Sequence, residues 1–188
     1  MGLPCRYLTC RQSPKLSYVF FDSAGTGLLS IALSPLVRQY TVTDIPDILP
    51  LIRKNLALNF DAWPNLKSST PGSNVRAEEL DWLQFQHTPL STRVRLFPLA
   101  TDPLDLILAV DCIYNPSLLP ALVETIDFLA TPEKTAVLVI IELRQEDVVR
   151  EFLELWIAKS GWEIWRVGDG FLGTRYAVWM GWKTSQAA

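Results

Sequence analysis

LDLILAVDCIY (residues 104–114) is a nearly continuous apolar run that ends in a carboxylate, Asp111, and a phenol, Tyr114. An apolar run of this length, without polar alternation, is typical of a strand that is buried on both faces of a parallel sheet. Ligands of open α/β sheets bind at the carboxyl ends of the strands. We therefore predict that Asp111 and Tyr114 face a ligand at this edge.

A glycine turn well upstream is a second signal of a ligand site after a predicted strand. Ala24-Gly25-Thr26-Gly27 follows the apolar run 18–21 and precedes apolar residues that recur at helical spacing. Glycines let a ligand approach the backbone, and the first amides of the next helix have no intrahelical partner. The pattern favours a nucleotide or an amino-acid-like cofactor, and a tight turn without a ligand is the alternative. A dinucleotide fingerprint would need its third glycine where Ser30 stands, and no Gly-Lys-Ser/Thr follows.

Other polar or aromatic residues follow further strand candidates. Asp44 ends the second strand, where a carboxylate can hold the hydroxyls of a ribose; the alternative is an acid that stabilises the start of a helix beside Pro46. Trp82 follows the third strand and is predicted either to pack in the core or to wall an adenine. Glu142-Leu143-Arg144 follows the fifth strand. It is predicted to be either a functional acid–base pair or a solvent-exposed segment at the end of the sheet.

Strand and helix patterns alternate along the chain, which predicts the α/β class with a mostly parallel sheet and helices on both sides. The end of the chain differs, because the strand candidates 162–167 and 176–183 are separated by only a glycine-rich turn. A link this short predicts an antiparallel hairpin. Residues 83–103 are expected to form a long connection with a short strand at 94–96.

Composition indicates one domain, residues 17–188, after a poorly ordered lead-in over residues 1–16. The net charge of -3 comes with dispersed lysines and arginines, so we expect no nucleic-acid partner. The three cysteines form no CxxC pair, and neither a disulfide framework nor a metal site is expected. Without a signal core or a membrane-length apolar stretch, we expect a protein of the cytoplasm or nucleus with no membrane contact. We also expect a monomer.

Taken together, the motifs resemble, in order and spacing, those of the seven-β-strand protein-lysine methyltransferases. The resemblance covers residues 17–183 and is most specific at Asp111-Cys112-Ile113-Tyr114, the Asp-x-x-Tyr element of that family. The ending Tyr176-Ala177-Val178-Trp179-Met180-Gly181-Trp182-Lys183 looks most like that of the fungal ribosomal lysine N-methyltransferases.

This resemblance implies a Rossmann-like, seven-stranded methyltransferase sheet and S-adenosylmethionine as the methyl donor. It implies a ribosomal protein, or another translation or chaperone factor, as the methylated substrate. The cofactor-binding residues that it implies are Ser23, Ala24, Gly25 and Gly27 in the turn, Asp44 at the ribose, Trp82 near the adenine and Val110 in the pocket wall. Asp111 and Tyr114 are then the catalytic residues that face the target lysine.

The chain departs from the family pattern near its beginning. The family turn usually reads acid-Leu-Gly-Ala-Gly-Thr-Gly, whereas Phe21-Asp22-Ser23 occupy its first three positions here. Residues 1–16 also lack the tryptophan-containing segment that covers the cofactor in the family, so we expect a truncated N-terminus. Two other classes stay open: a non-catalytic, methyltransferase-like binding module, and an NAD-linked oxidoreductase.

Overall fold

The computed structural model describes residues 16–22, 25–168 and 172–185. Residues 1–15, most of the predicted lead-in, lie outside this part. The strands are β1 (Leu16–Asp22), β2 (Val37–Asp44), β3 (Val75–Glu79), β4 (Leu106–Val110), β5 (Ala136–Glu142), β6 (Trp162–Val167) and β7 (Tyr176–Lys183).

Helices connect most of these strands. They are α1 (Leu28–Leu33), α2 (Leu49–Asn59), α3 (Trp82–His87), α4 (Leu90–Leu96), α5 (Leu119–Leu129) and α6 (Glu146–Ile157). Short 3-10 turns at Ser34–Leu36 and Pro116–Leu118 follow α1 and precede α5. Among the described helices, none has both the length and the apolar character needed to cross a membrane.

The described strands form one seven-stranded sheet in the order β3-β2-β1-β4-β5-β7-β6. β3, β2, β1, β4 and β5 run parallel to one another, and β7 is antiparallel to both β5 and β6. The predicted α/β class is confirmed, and the C-terminal strands pair as the antiparallel hairpin that their short link predicted. Because the order reverses between β1 and β4, the connections leave these two strands in opposite directions and open a crevice at their carboxyl ends.

Apolar side chains fill both faces of this sheet. Along β4, Ile107 and Ala109 belong to the core under α3, α5 and α6, whereas Leu108 belongs to the core under α1 and α2. This alternation is the period of two that a strand imposes on its side chains. It explains why the run is continuously apolar, since a polar residue at any of these positions would be buried.

The region 83–103 was predicted wrongly as a long connection with a strand at 94–96, because most of it folds into α3 and α4. Arg93, which is 12% exposed, holds this region together. Its guanidinium donates to the carbonyls of Thr88 and Gln86, pairs with Glu124 of α5 at 3.1 Å and lies 4.8 Å from the ring centre of Phe85. The inward-facing cation, rather than Val94 or Leu96, therefore defines the buried side of α4, and both of these residues are exposed.

Close contact between α6 and β7 fixes the second half of the sheet. Trp156 of α6 is fully buried and packs against Trp162 with ring centres 5.3 Å apart. Its indole lies directly on the backbone of Gly181, so that a Cβ at this position would overlap Cζ2 and lie 2.7 Å from Cη2. Glycine is therefore required at 181 by the space that the tryptophan takes.

We predict that Gly181→Ala destabilises the protein by about 1–3 kcal/mol, because the indole or the strand must shift to admit the methyl group. For a chain of this size, the melting temperature should fall by about 2–4 °C for each kcal/mol. Gly168→Ala is the matched control, since a Cβ at 168 meets only open space. Thermal unfolding of the two variants tests the contact, and equal melting temperatures would contradict it.

Candidate functional site

A buried carboxylate joins the glycine turn to the end of β2. Asp44 is 8% exposed, and its Oδ2 accepts a hydrogen bond from the amide of Gly25 at 3.0 Å. Its Oδ1 accepts from the amide of Ile45 at 2.8 Å. Each carboxylate oxygen can accept about two hydrogen bonds. Asp44 therefore braces the turn and retains acceptor capacity on both oxygens.

The glycine turn has the backbone geometry that glycine favours. Gly25 has φ +53° and Gly27 has φ +75°, a left-handed region that residues with a side chain seldom adopt. A Cβ on Gly25 would project into open space, whereas one on Gly27 would lie 3.1 Å from Cγ2 of Ile52. Asn55 of α2 donates to the carbonyl of Thr26 at 2.8 Å and ties the turn to that helix. Ser23 and Ala24, the other two residues predicted for this turn, lie outside the described residues.

A cavity of about 240 Å³ lies beside Asp44 at the carboxyl ends of β2 and β3. It brings together three of the residues predicted from the sequence, Asp44, Trp82 and Tyr114. Its other lining residues are Ile45, Leu80, Asp81, Leu83 and Leu118. Pockets for whole small molecules are usually about 300–1,000 Å³. This cavity is therefore sized for part of such a ligand.

Trp82 packs in the core, which is one of the two alternatives predicted for it, and it also lines the cavity. It begins α3, where Asp81 caps the helix by accepting from the amides of Leu83 and Gln84 at 2.9 and 3.2 Å. The indole is 8% exposed and belongs to the core under α3 and α5, and it also lines the cavity. Core packing thus holds the ring at the position where a flat ligand would meet it.

Asp111 lies where β4 ends and the chain turns away from the sheet. Its φ of +53° is left-handed, a conformation that aspartate tolerates better than most residues, and its amide donates to the carbonyl of Ile140 at 2.8 Å. Cys112 and Ile113 are buried, and Tyr114 returns to the surface with 58% of its area exposed. Val110 packs half-buried against the core under α1 and α2 and does not line the cavity.

Four charged side chains form a chain of ion pairs across the ends of β4, β5 and the final hairpin. Nη2 of Arg144 lies 3.1 Å from Oδ2 of Asp111 and also pairs with Oε2 of Glu142. The other carboxylate oxygen of Glu142, Oε1, lies 2.9 Å from Nη2 of Arg175. Hydrogen bonding by Arg144 holds the pKa of Glu142 below its ordinary value, and the same bond raises the pKa of Arg144. We call these four residues the edge network.

The edge network gives Glu142 and Arg144 a connection to Asp111 that spacing could not show. Asp111 and Arg144 are 33 residues apart, as are Glu142 and Arg175, and only the pairing of β5 with β4 and β7 brings them together. Arg175 was missed by the sequence analysis. The only signal was its position just before β7, which a predicted strand order could have placed beside Glu142.

A sequence model described as lysine methyltransferase matches residues 22–157, which include the glycine turn, Asp44, Trp82, Asp111 and Tyr114. The match spans well over half of the chain. The protein therefore belongs to the lysine methyltransferase family.

Of two relatives that match most of this chain, one carries the name of a lysine methyltransferase and the other a different name. Ribosomal lysine N-methyltransferase 5 of Kluyveromyces lactis is 30% identical over 164 residues, which cover 77% of this chain and 51% of that protein. A Schizosaccharomyces pombe protein named diaminohydroxyphosphoribosylamino-pyrimidine deaminase is 34% identical over 143 residues, but the match covers only 31% of it against 76% of this chain. The chain thus spans about half, or less, of these two relatives.

The fold also matches known structures. A methyltransferase from Pyrococcus furiosus superposes with a TM-score of 0.60 at 15% identity, and the match covers 90% of this chain and 78% of that one. An identity this low supports the fold alone. It confirms the Rossmann-like α/β architecture expected of a methyltransferase.

We predict that ionised Glu142 stabilises the edge network and that acid removes this stabilisation. Its pKa is depressed in the folded state, so the contribution is present above the unfolded pKa of about 4.3 and is lost as the pH falls through the folded value. The melting temperature of Glu142→Gln should therefore lie below that of the wild type near pH 7, and the difference should shrink below about pH 4. A difference that is constant between pH 7 and pH 3 would contradict the assignment.

Proposed function

We propose that this protein is an S-adenosylmethionine-dependent protein-lysine N-methyltransferase that acts on a ribosomal protein. The observation that carries the proposal is the convergence of Asp44, Trp82 and Tyr114 on one cavity, with the glycine turn bonded to Asp44. Membership of the lysine methyltransferase family supports the reaction class.

The described residues suit the nucleoside part of this cofactor. Both oxygens of Asp44 retain acceptor capacity, which two ribose hydroxyls can use. Trp82 offers a ring at the cavity wall to an adenine, and the cavity size suits a nucleoside rather than the whole cofactor. The open space above Gly25 leaves room for the rest of the ligand beside the turn.

When bound, S-adenosylmethionine supplies a methyl group on a positively charged sulfur. We assign Asp111, whose side chain is 48% exposed, to the ammonium of the target lysine, and the ring of Tyr114 to its alkyl stem or its cation. A carboxylate about 4 Å from the nitrogen favours the ammonium by about 4 kcal/mol at an effective dielectric of 20. Asp111 is therefore suited to anchor and orient the lysine rather than to remove its proton.

The proposed substrate rests on the relatives. The name of the Kluyveromyces lactis protein points to ribosomal proteins, and residues 176–183 resemble the ending of the fungal ribosomal lysine N-methyltransferases. The alternative is a non-catalytic module that binds such a partner through the same edge. Methyl transfer distinguishes the enzyme from the binding module, because a non-catalytic module transfers no methyl group to ribosomes even if it binds them.

We predict that the wild type binds S-adenosylmethionine with saturable heat and labels ribosomes from a Kluyveromyces lactis strain lacking its ribosomal lysine N-methyltransferase 5. Asp44→Ala should weaken cofactor binding about tenfold or more, because hydrogen bonds to a charged group contribute about 1.5–3 kcal/mol. Asp111→Asn, which keeps a residue suited to the left-handed backbone, should bind the cofactor normally and transfer methyl groups at least about tenfold more slowly. Calorimetry and labelling measure the two effects.

Asp47→Ala is the matched control for both variants. Asp47 is an exposed carboxylate three residues after Asp44, and its replacement should change neither binding nor transfer. Saturable binding without labelling would favour the binding module. Equal loss of binding and transfer in Asp111→Asn would remove Asp111 from the lysine side of the site.

A further inference from the structure

The carboxylate proposed to anchor the lysine already has a cationic partner. Oδ2 of Asp111 lies 3.1 Å from Nη2 of Arg144. Within the described residues, Oδ1 has no hydrogen bond or ion pair. Since the side chain is about half exposed, a second cation can reach the free oxygen while Arg144 stays in place.

Arg144 is held firmly enough to stay there. Its Nε donates to Oε2 of Glu142 at 2.7 Å, and its Nη2 bridges the same oxygen and Asp111. Glu142 is 15% exposed and is anchored on its other oxygen by Arg175. Arg144 is therefore a fixed positive charge beside Asp111, although 61% of its own side chain is exposed.

A lysine anchored by Asp111 alone faces an electrostatic obstacle, because the carboxylate stabilises the ammonium and the reaction needs the neutral amine. We propose that Arg144 is a positioning residue whose charge offsets that of Asp111, so that the anchored lysine can release its proton to water while it stays oriented. The proposal rests on the proposed function and extends it by giving Arg144 a part in preparing the substrate.

Loss of a proton from the lysine precedes the transfer of the methyl group. The ammonium loses one proton to water, the freed lone pair of nitrogen forms a bond to the methyl carbon, and the bond between this carbon and the sulfur breaks. Sulfur keeps that electron pair and becomes neutral, and the product is a methylated lysine that carries the positive charge. Arg144 acts only on the first of these changes, because a nearby cation favours the uncharged amine.

Other charged or titratable groups surround this position. They are Glu142 on β5, Arg175 in the hairpin, Tyr176 on β7, Tyr114 in the loop after β4, and Asp44 and Asp81 in the cavity shared with Tyr114. In the described part of the chain, Arg144 is the cation that touches Asp111. Removal of the Arg144 charge should therefore have the most direct effect on the ionisation of the anchored lysine.

The test is the pH dependence of kcat, which reports the ionisation of the bound substrate. With saturating S-adenosylmethionine at low ionic strength, ribosomes from the Kluyveromyces lactis deletion strain serve as the substrate. Arg144→Gln should shift the alkaline rise of kcat upward by about one pH unit. The rate should then be roughly tenfold lower near neutral pH and should recover at higher pH, with an unchanged or lower KM.

Two further variants separate charge from structure. Arg144→Lys keeps the positive charge and should restore the wild-type profile to within about 0.3 pH unit. Arg150→Gln removes one positive charge from an exposed position on α6 and should leave the profile unchanged. A loss of rate in Arg144→Gln that is the same at every pH would show a merely structural role and overturn the inference.

A second readout does not depend on catalysis. Carbon-13 NMR of the glutamate carboxyls should show Glu142 titrating at higher pH in Arg144→Gln than in the wild type, because Arg144 is the main cause of its depressed pKa. An unmoved titration would show that Arg144 does not occupy this position in solution, which overturns the inference. An active wild type with an unshifted kcat profile in Arg144→Gln overturns the inference alone, whereas a wild type that labels no ribosomes overturns the proposed function as well.

Discussion

Parallel pairing of β1 with β2 on one side and with β4 on the other is the constraint on which the rest of the structure depends. It aligns Phe21 with Val42 and with Leu108, so that three strands end at nearly the same level. Three parts of the proposed site follow these strand ends: the glycine turn after β1, Asp44 at the end of β2 and Asp111 after β4. A change of register by one residue would invert the facing of every side chain on the shifted strand and separate these groups.

The two halves of the crevice differ in their electrostatics. Asp44 is buried and satisfied by backbone amides, which are neutral donors that leave its negative charge uncompensated by any cation in the described part of the chain. Asp111 is exposed and compensated by Arg144. Hydroxyl donors can use the remaining acceptor sites of Asp44, and an ammonium can reach Oδ1 of Asp111, which has no partner within the described residues. In the proposed function, Asp44 thus belongs to the cofactor side of the site and Asp111 to the substrate side.

The sequence was sufficient to predict the parts of the fold in which the apolar residues follow one clear pattern. The apolar strands and the order of the polar residues after them were predictable, because buried strands need continuous apolar sequence and the connections between them are regular. α3 and α4 were not, since they are six and seven residues long and Arg93 faces inward where the hydrophobic pattern expects an apolar side chain. The cap formed by Asp81 with Gln84 three residues later was the signal that could have revealed α3. The contact of Arg144 with Asp111 depends on strand pairing over a long separation, and no local pattern encodes it.

The position of β7 has a consequence for how the chain folds. β7 is the last described strand along the sequence, yet it lies between β5 and β6 and supplies the only hydrogen-bonded link between β6 and the sheet in the described residues. During synthesis on a ribosome, β6 therefore emerges before it has a neighbouring strand to pair with. Trp156 of α6 can reach its packed position only after Gly181 has been synthesised. Completion of this half of the protein therefore waits until β7 has been synthesised, and until then the edge of β5 that β7 will cover stays unpaired.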